Sequence, residues 1–319
     1  MQAENQPEVR KVIALLCSDI HLSHRPPVVR EEKTTNAWYS LQSKYLSQLS
    51  AMAGEYNCPI VCAGDIFDRW NSPAELINFA LAYLPDNMYC IPGQHDLPYH
   101  DFNQIVRSAY WTLVEAGKIN HLSHDRPLKV SDSLTLHGVP WGHRVPENTE
   151  EHKEGMIHLA AIHAYIWTTG HNYPGASQQA HIREWARLLS SYDAAVFGDN
   201  HKGFLSKTSF DIPILNCGTL MRRKSDELAY IPCVGLLWDD GIISQKMLDT
   251  SVDKFIEPAA MKALQESGQD GQLSDFLQEL SSIAAGPIGF ADALKHFLSE
   301  NTIGKHTRQV LREIMGDAG

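Results

Sequence analysis

The chain has 319 residues, of which 43% are hydrophobic and 20% charged, the balance of a globular protein with a sizeable core rather than a fibrous or low-complexity one. Its formal net charge of −11 argues against a protein that coats nucleic acid through its whole surface, while leaving room for a local basic groove. No run approaches the ~20 apolar residues of a membrane span, and the polar start MQAENQPEVRK lacks a signal peptide's apolar stretch, so a cytoplasmic protein with no membrane contact is expected.

In chain order, the apolar run 12–18 reads as a buried strand that delivers Asp19 at its carboxyl end. A polar loop and a helical pattern over 34–56 follow, then a second strand over 59–63 that ends at Gly64 and Asp65. A helix over 73–84, capped by Ser72 with Pro73 in its first turn, leads to a third strand over 88–91. Residues 101–116 read as one helix and 177–190 as another. Strand patterns occupy 128–130, 134–139, 157–162, 194–197, 212–215, 234–238 and 242–247. Early strands alternate with helices and later ones come in quick succession. That mixture predicts an α/β fold of two packed mixed sheets flanked by helices. After about residue 250 only helical patterns remain, at 273–283, 290–298 and 306–314, behind a glycine-containing joint at 267–272. The expected division is a core over 1–249 and a helical appendage over 250–319. The six cysteines lie in or beside apolar runs without a CxxC pair, as small buried hydrophobes do.

Strand after strand in the first two hundred residues ends in potential metal ligands. The first gives Asp19 and His21 (D-x-H), the second Asp65 and Asp68 (G-D-x-x-D), and the third Gln94 and His95. A later strand gives His163, and the next Asp199 and His201. Residues at the carboxyl ends of neighbouring strands converge in space however far apart they lie in the chain. The donor set is carboxylate, amide and imidazole with no thiolate, which suits Mn²⁺, Fe²⁺ or Zn²⁺ and, less naturally, Mg²⁺. Asp65, turned by the glycine before it, is placed to bridge a pair of ions.

These pieces resemble the calcineurin-like metallophosphoesterases over roughly residues 12–240, whose pattern is D-x-H, G-D-x-x-D, G-N-H-[DE], H and G-H-x-H. The resemblance implies a four-layer sandwich and two divalent ions. Asp19, His21, Asp65 and His201 would hold one ion, and Asp65, Gln94, His163 and Asp199 would surround the other. His95 would stand off the metals and protonate the leaving oxygen, with Asp68 orienting its ring. Two positions depart from the pattern: Gln94 stands for asparagine and Asp199 for the first histidine of G-H-x-H. Both fall on the second ion, which should therefore be oxygen-richer and biased toward Mn²⁺ or Mg²⁺.

Within the superfamily the look is nearest to the SbcD-like DNA repair nucleases, on the spacing around Asp19 and His21, the segment Asn216 to Thr219, and the helical tail. That likeness implies DNA as substrate and an SMC-like ATPase partner; a homodimer stays open. Arg222, Arg223 and Lys224 form the strongest basic cluster in the chain, and Arg25 and Arg30 follow His21. Each reads either as a solvated turn or as a contact to the phosphate backbone. Trp70 reads either as rim packing or as a platform for a base. A small-molecule phosphodiesterase and a non-catalytic scaffold on the same fold are the alternatives.

Overall fold

A computed structural model of the chain describes residues 10–147, 153–173 and 175–256. The compact unit they form runs to Phe255. The helical patterns expected at 273–283, 290–298 and 306–314 lie outside the described residues.

Strands and helices follow in the order β1 (Val12–Cys17), α1 (Thr35–Tyr56), β2 (Ile60–Cys62), α2 (Ala74–Tyr83), β3 (Met88–Cys90), α3 (Ala109–Glu115), β4 (Asn120–His121), β5 (Leu128–Lys129), β6 (Leu134–Val139), β7 (Ile157–His163), α4 (Ile182–Trp185), β8 (Ala194–Gly198), β9 (Phe204–Lys207), β10 (Pro213–Asn216), β11 (Cys233–Trp238) and β12 (Ile243–Met247). They build two mixed sheets of six strands each, ordered β12-β11-β1-β2-β3-β4 and β5-β6-β7-β8-β10-β9. Parallel pairing holds the middle of each sheet: β1 pairs β2 in parallel and β11 antiparallel, while β8 pairs β7 and β10 in parallel.

The side-chain period of two sorts each strand between layers. On β1, Ala14 and Leu16 face the space between the sheets, while Leu15 and Cys17 face the helices. On β8, Ala194 and Val196 point inward and Ala195 and Phe197 outward, where Ile182, Leu189 and Tyr192 cover them. Both faces of the central strands are covered, which is why their sequences read as unbroken apolar runs.

α1 presents Trp38, Leu41, Tyr45, Leu49 and Met52 to this core at helical spacing. Thr34 caps its start by accepting the Ala37 N–H, and Asn57 ends it in the left-handed region at φ 49°. Gln42, also on the buried face, clasps Ser23 by accepting its N–H at 2.9 Å and donating to its carbonyl at 3.0 Å. The helix thereby fixes the loop that follows His21.

Three local expectations are corrected. The helix expected over 101–116 breaks at Ser108, whose extended backbone (φ −95°, ψ 158°) and hydroxyl cap a new start at α3. The helix expected over 177–190 is reduced to α4 and single turns, because Ser177 and His181 each cap a short segment instead of continuing one. Ser72 does not cap α2: its hydroxyl donates to the Arg69 carbonyl, and Pro73 stands at the N-cap without a side-chain hydrogen bond. β4 and β9, too short or too polar to show an apolar run, were not anticipated.

Candidate metal centre

The candidate residues meet where the two sheets present their carboxyl ends. The loops after β1 and β2 are laced together by Asp19 N–H to the Gly64 carbonyl at 3.0 Å and His21 N–H to the Asp65 carbonyl at 2.9 Å. Gly64 lies at φ 98°, and a Cβ there would run into the His163 ring, so only glycine lets the Asp65 turn approach β7. Asp19 (φ 49°), His21 (48°), Asp65 (54°) and Asp199 (91°) all hold left-handed backbone. Such non-glycine residues cost about 1–3 kcal/mol each and gather at functional sites. Here each one carries a candidate donor.

Asp65 is the centre of the cluster. Its Oδ1 accepts the His95 N–H at 3.0 Å, while its buried Oδ2 has no hydrogen-bond partner. On one side of Oδ2 stands His21 Nε2 at 3.7 Å, which is itself 3.7 Å from Asp19 Oδ1 and 3.0 Å from His201 Nε2. On the other side stands His163 Nε2 at 3.4 Å, facing Gln94 Oε1 at 2.6 Å. Asp19, His21 and His201 form one group able to hold an ion; Asp19, Asp65 and His163 form another, and His21, Asp68 and His95 a third.

The ring nitrogens are set by their outer partners. His163 Nδ1 lies 2.6 Å from the Ala63 carbonyl and His201 Nδ1 lies 2.8 Å from the Glu227 carboxylate. Both partners only accept, so each Nδ1 carries a proton and Nε2 is the nitrogen turned into the cluster, able to ligate an ion once any proton of its own is displaced. A buried, unpartnered carboxylate oxygen among inward-facing imidazole nitrogens fits a divalent cation.

Electrostatics agree. Burial would lower His163, but the carboxylates of Asp65, Asp19 and Asp199 together outweigh this and hold the ring well above the usual imidazole range. That corner draws positive charge, as proton or as metal ion. Burial pushes His21 well below its ordinary value, with His201 and Arg223 adding to the effect, so it stays the neutral imidazole that a metal requires. Burial raises the Asp19 carboxyl to about 6 against the pull of His201 and His163. Burial opposes ionisation of Asp65 as well, but His163 and His95 prevail and its pKa is lowered.

Not every expected residue stands as the sequence placed it. Asp199 accepts the Gln94 side-chain N–H at 2.7 Å, which turns Gln94 Oε1 toward His163. Among the described residues, Asp199 belongs to none of the three groups above. The His95 ring sits edge-on to His21, with centroids 5.0 Å apart, and its Nδ1 is held at 3.0 Å by the Asp68 backbone carbonyl rather than by the Asp68 carboxylate. That carboxylate takes Arg223 at 2.8 Å. Trp70 packs against Tyr99 with ring centroids 5.4 Å apart.

Arg30 and Arg222 are corrected. Arg30 has no exposed surface; it pairs with Asp253 at 2.7 Å and lies between the rings of Trp38 and Phe255. Arg222 spends its guanidinium on Asp253 at 2.7 Å and on the Leu228 carbonyl at 3.0 Å. Neither has a free face for a phosphate. Arg25 and Lys224 are exposed.

Three supporting carboxylates were missed. Glu227 holds His201. Asp253 anchors two arginines. Asp96, fully buried, accepts the N–H groups of Ile66, Phe67 and Gly93 and so ties the Asp65 loop to the His95 turn. Asp96 could have been suspected from its place beside His95. Glu227 and Asp253 carry no spacing signal at all.

A sandwich of two mixed sheets with carboxylates and imidazoles converging at strand ends defines a metal-dependent phosphoesterase. The chain belongs to the calcineurin-like phosphoesterase family, whose sequence profile matches residues 14–203. No curated protein sequence matches it. Among solved structures, a novel archaeal phosphodiesterase is 13% identical over 74% of this chain and 99% of its own, with a TM-score of 0.38. The NAD nucleotidase of Haemophilus influenzae is 12% identical over 85% of this chain and 59% of its own (TM-score 0.40). A metallophosphoesterase from Sphaerobacter thermophilus is 14% identical over 82% and 96% (TM-score 0.34). No helix among the described residues is long and apolar enough to cross a membrane.

Proposed function

We propose that the chain hydrolyses phosphodiesters with two divalent ions, Mn²⁺ foremost, and that its substrate is DNA, as in an SbcD-type nuclease. The observation that carries the two-ion reading is the unpartnered Asp65 Oδ2 with an imidazole nitrogen on either side, at 3.7 and 3.4 Å. Asp19, His21, Asp65 and His201 hold one ion in this reading, and Asp65, Gln94 and His163 face the other, with Asp199 beside them. Bound there, a pair of ions lowers the pKa of a water and clamps the phosphate for in-line attack.

The protein's own groups do the rest. Asp65 Oδ1 fixes the His95 backbone and the Asp68 carbonyl fixes its Nδ1, which leaves His95 Nε2 to give a proton to the departing oxygen. Arg223, held against Asp68, and the exposed Lys224 and Arg25 supply positive charge for neighbouring phosphates. An SMC-like ATPase partner belongs to the same reading.

A second reading, a small-molecule phosphodiesterase, is favoured by the loss of Arg30 and Arg222 to a buried ion pair, which thins the cationic track a duplex needs. The deciding experiment offers labelled linear duplex, single-stranded and circular DNA, and a small aryl phosphodiester, each with Mn²⁺ or Mg²⁺. Cleavage of DNA supports the nuclease. Turnover of the aryl ester with every DNA left intact would replace it by the second reading. Changing Arg25, Arg223 and Lys224 to Ala should flatten the salt dependence of DNA binding by roughly 0.9 log units of slope for each phosphate that is no longer neutralised.

A further inference from the structure

The loop from Thr219 to Leu228 touches the candidate metal centre at several points, and one carboxylate joins them. Glu227 is almost wholly buried, at 2% exposure, in a short turn closing at Ser225–Glu227. Its Oε1 accepts the His201 Nδ1–H at 2.8 Å. Its Oε2 accepts the backbone N–H of Arg223 at 2.6 Å and of Lys224 at 3.0 Å. The loop is locked to the site at its start too, since the Leu220 N–H donates to the Asp19 carbonyl at 3.1 Å. Three donors thus converge on two oxygens of one side chain, which only an ionised carboxylate satisfies in full.

We propose that Glu227 is the positioning residue that selects the tautomer of His201 and thereby sets the affinity of one ion. The inference rests on the metal reading above and adds a residue to it. A carboxylate at Nδ1 holds a proton on that nitrogen and makes Nε2, beside His21 Nε2 and Asp19 Oδ1, the one that can offer a lone pair to a cation. The same carboxylate holds the backbone from which Arg223 reaches Asp68, so the ion site and the basic loop are fixed by one group.

The substitution Glu227→Gln separates this role from plain packing. Glutamine matches the shape but has one acceptor oxygen for three donors. If that oxygen stays with the two backbone N–H groups, the amide NH₂ faces His201 Nδ1 and pushes the ring proton to Nε2. An amide for a carboxylate beside a histidine is known to produce such a wrong tautomer in serine proteases. Nε2 then has no lone pair for a cation.

The experiment titrates Mn²⁺ into the full chain and into Glu227→Gln and Glu227→Asp by calorimetry. Melting in excess chelator and ¹⁵N shifts of the His201 ring without metal accompany it. Glu227→Gln should weaken one ion by roughly tenfold to hundredfold and spare the other. Its melting in chelator should stay near that of the unaltered chain, its His201 proton should move to Nε2, and Glu227→Asp should restore part of the affinity. Unchanged affinity for both ions with the proton still on Nδ1 would overturn the proposal. So would a fall in chelator melting that accounts for the whole metal loss, since Glu227 would then be structural. If the unaltered chain binds no Mn²⁺, the metal reading itself fails, an outcome distinct from either.

Discussion

The two sides of the candidate centre are built differently although they share Asp65. On the His21 side the expected residues Asp19, His21 and His201 are all present, and the His201 ring is backed by a carboxylate. On the His163 side the ring is backed by a neutral carbonyl, and the two departures from the family pattern, Gln94 and Asp199, are hydrogen-bonded to each other at 2.7 Å. Substitutions that look separate along the chain are thus a single change in space. Asp199 does not simply replace a histidine; it orients the glutamine whose oxygen faces His163.

Between the two sides stands His95, where the heaviest loss is expected. His95→Asn should cut turnover by ~10²–10⁴ while metal content stays near that of the unaltered chain, as for a lost general acid. Loss of metal together with turnover would make His95 a ligand, as its grouping with His21 and Asp68 permits.

A change remote from the ions strains the loop behind the His201 side alone. Asp253→Ala leaves the buried Arg30 and the partly buried Arg222 without their shared anion and should cost about 3–5 kcal/mol of stability. Denaturant unfolding in chelator measures this. A loss under about 1 kcal/mol would mean that the pairs are worth no more than exposed ones.

On the His163 side, Asp199→Ala should free the Gln94 amide and weaken that ion by roughly tenfold to hundredfold, leaving the ion at His21 and His201 in place. Equal weakening of both, in the same calorimetric titration, would erase the distinction between the sides.

The smallest effect concerns pH. Burial would lower both His163 and His201, but the carboxylates around His163 and the Glu227 carboxylate with Asp19 at His201 hold both rings above the ordinary imidazole range, whereas His21, lowered by burial, has no proton to lose. A metal must therefore displace a ring proton on each side, and between about pH 6 and 8 affinity should climb with pH at both ions. Asp19, raised to about 6, adds proton competition only below that value. A level affinity at either ion would contradict the assignment of its histidine.

The architecture was legible because central strands covered on both faces leave unbroken apolar runs, and because the runs before Asp19, Asp65 and Asp199 stop at a carboxylate and β7 ends at His163. Asp19, His21, Asp65, His163 and His201 were singled out that way, and the structure brings their side chains together. Arg30 and Arg222 were misread because an arginine next to a motif looks the same whether it meets solvent or a distant aspartate. Asp253 lies beyond the expected core boundary of 249, yet it is what decides their fate. Glu227 lies 26 residues after His201 in a polar turn, a separation that no local pattern marks. The breaks at Ser108, Ser177 and His181 escaped notice for a related reason: a side chain that caps a helix is indistinguishable by periodicity from one on its solvent face.

The proposed centre depends on Asp65 being shared by two ions, and elemental analysis after identical Mn²⁺ loading and desalting counts them. Two ions are expected in the unaltered chain, one in His201→Ala, one in His163→Ala and none in Asp65→Ala. An Asp65→Ala protein that folds and still retains both ions would contradict the shared-carboxylate centre.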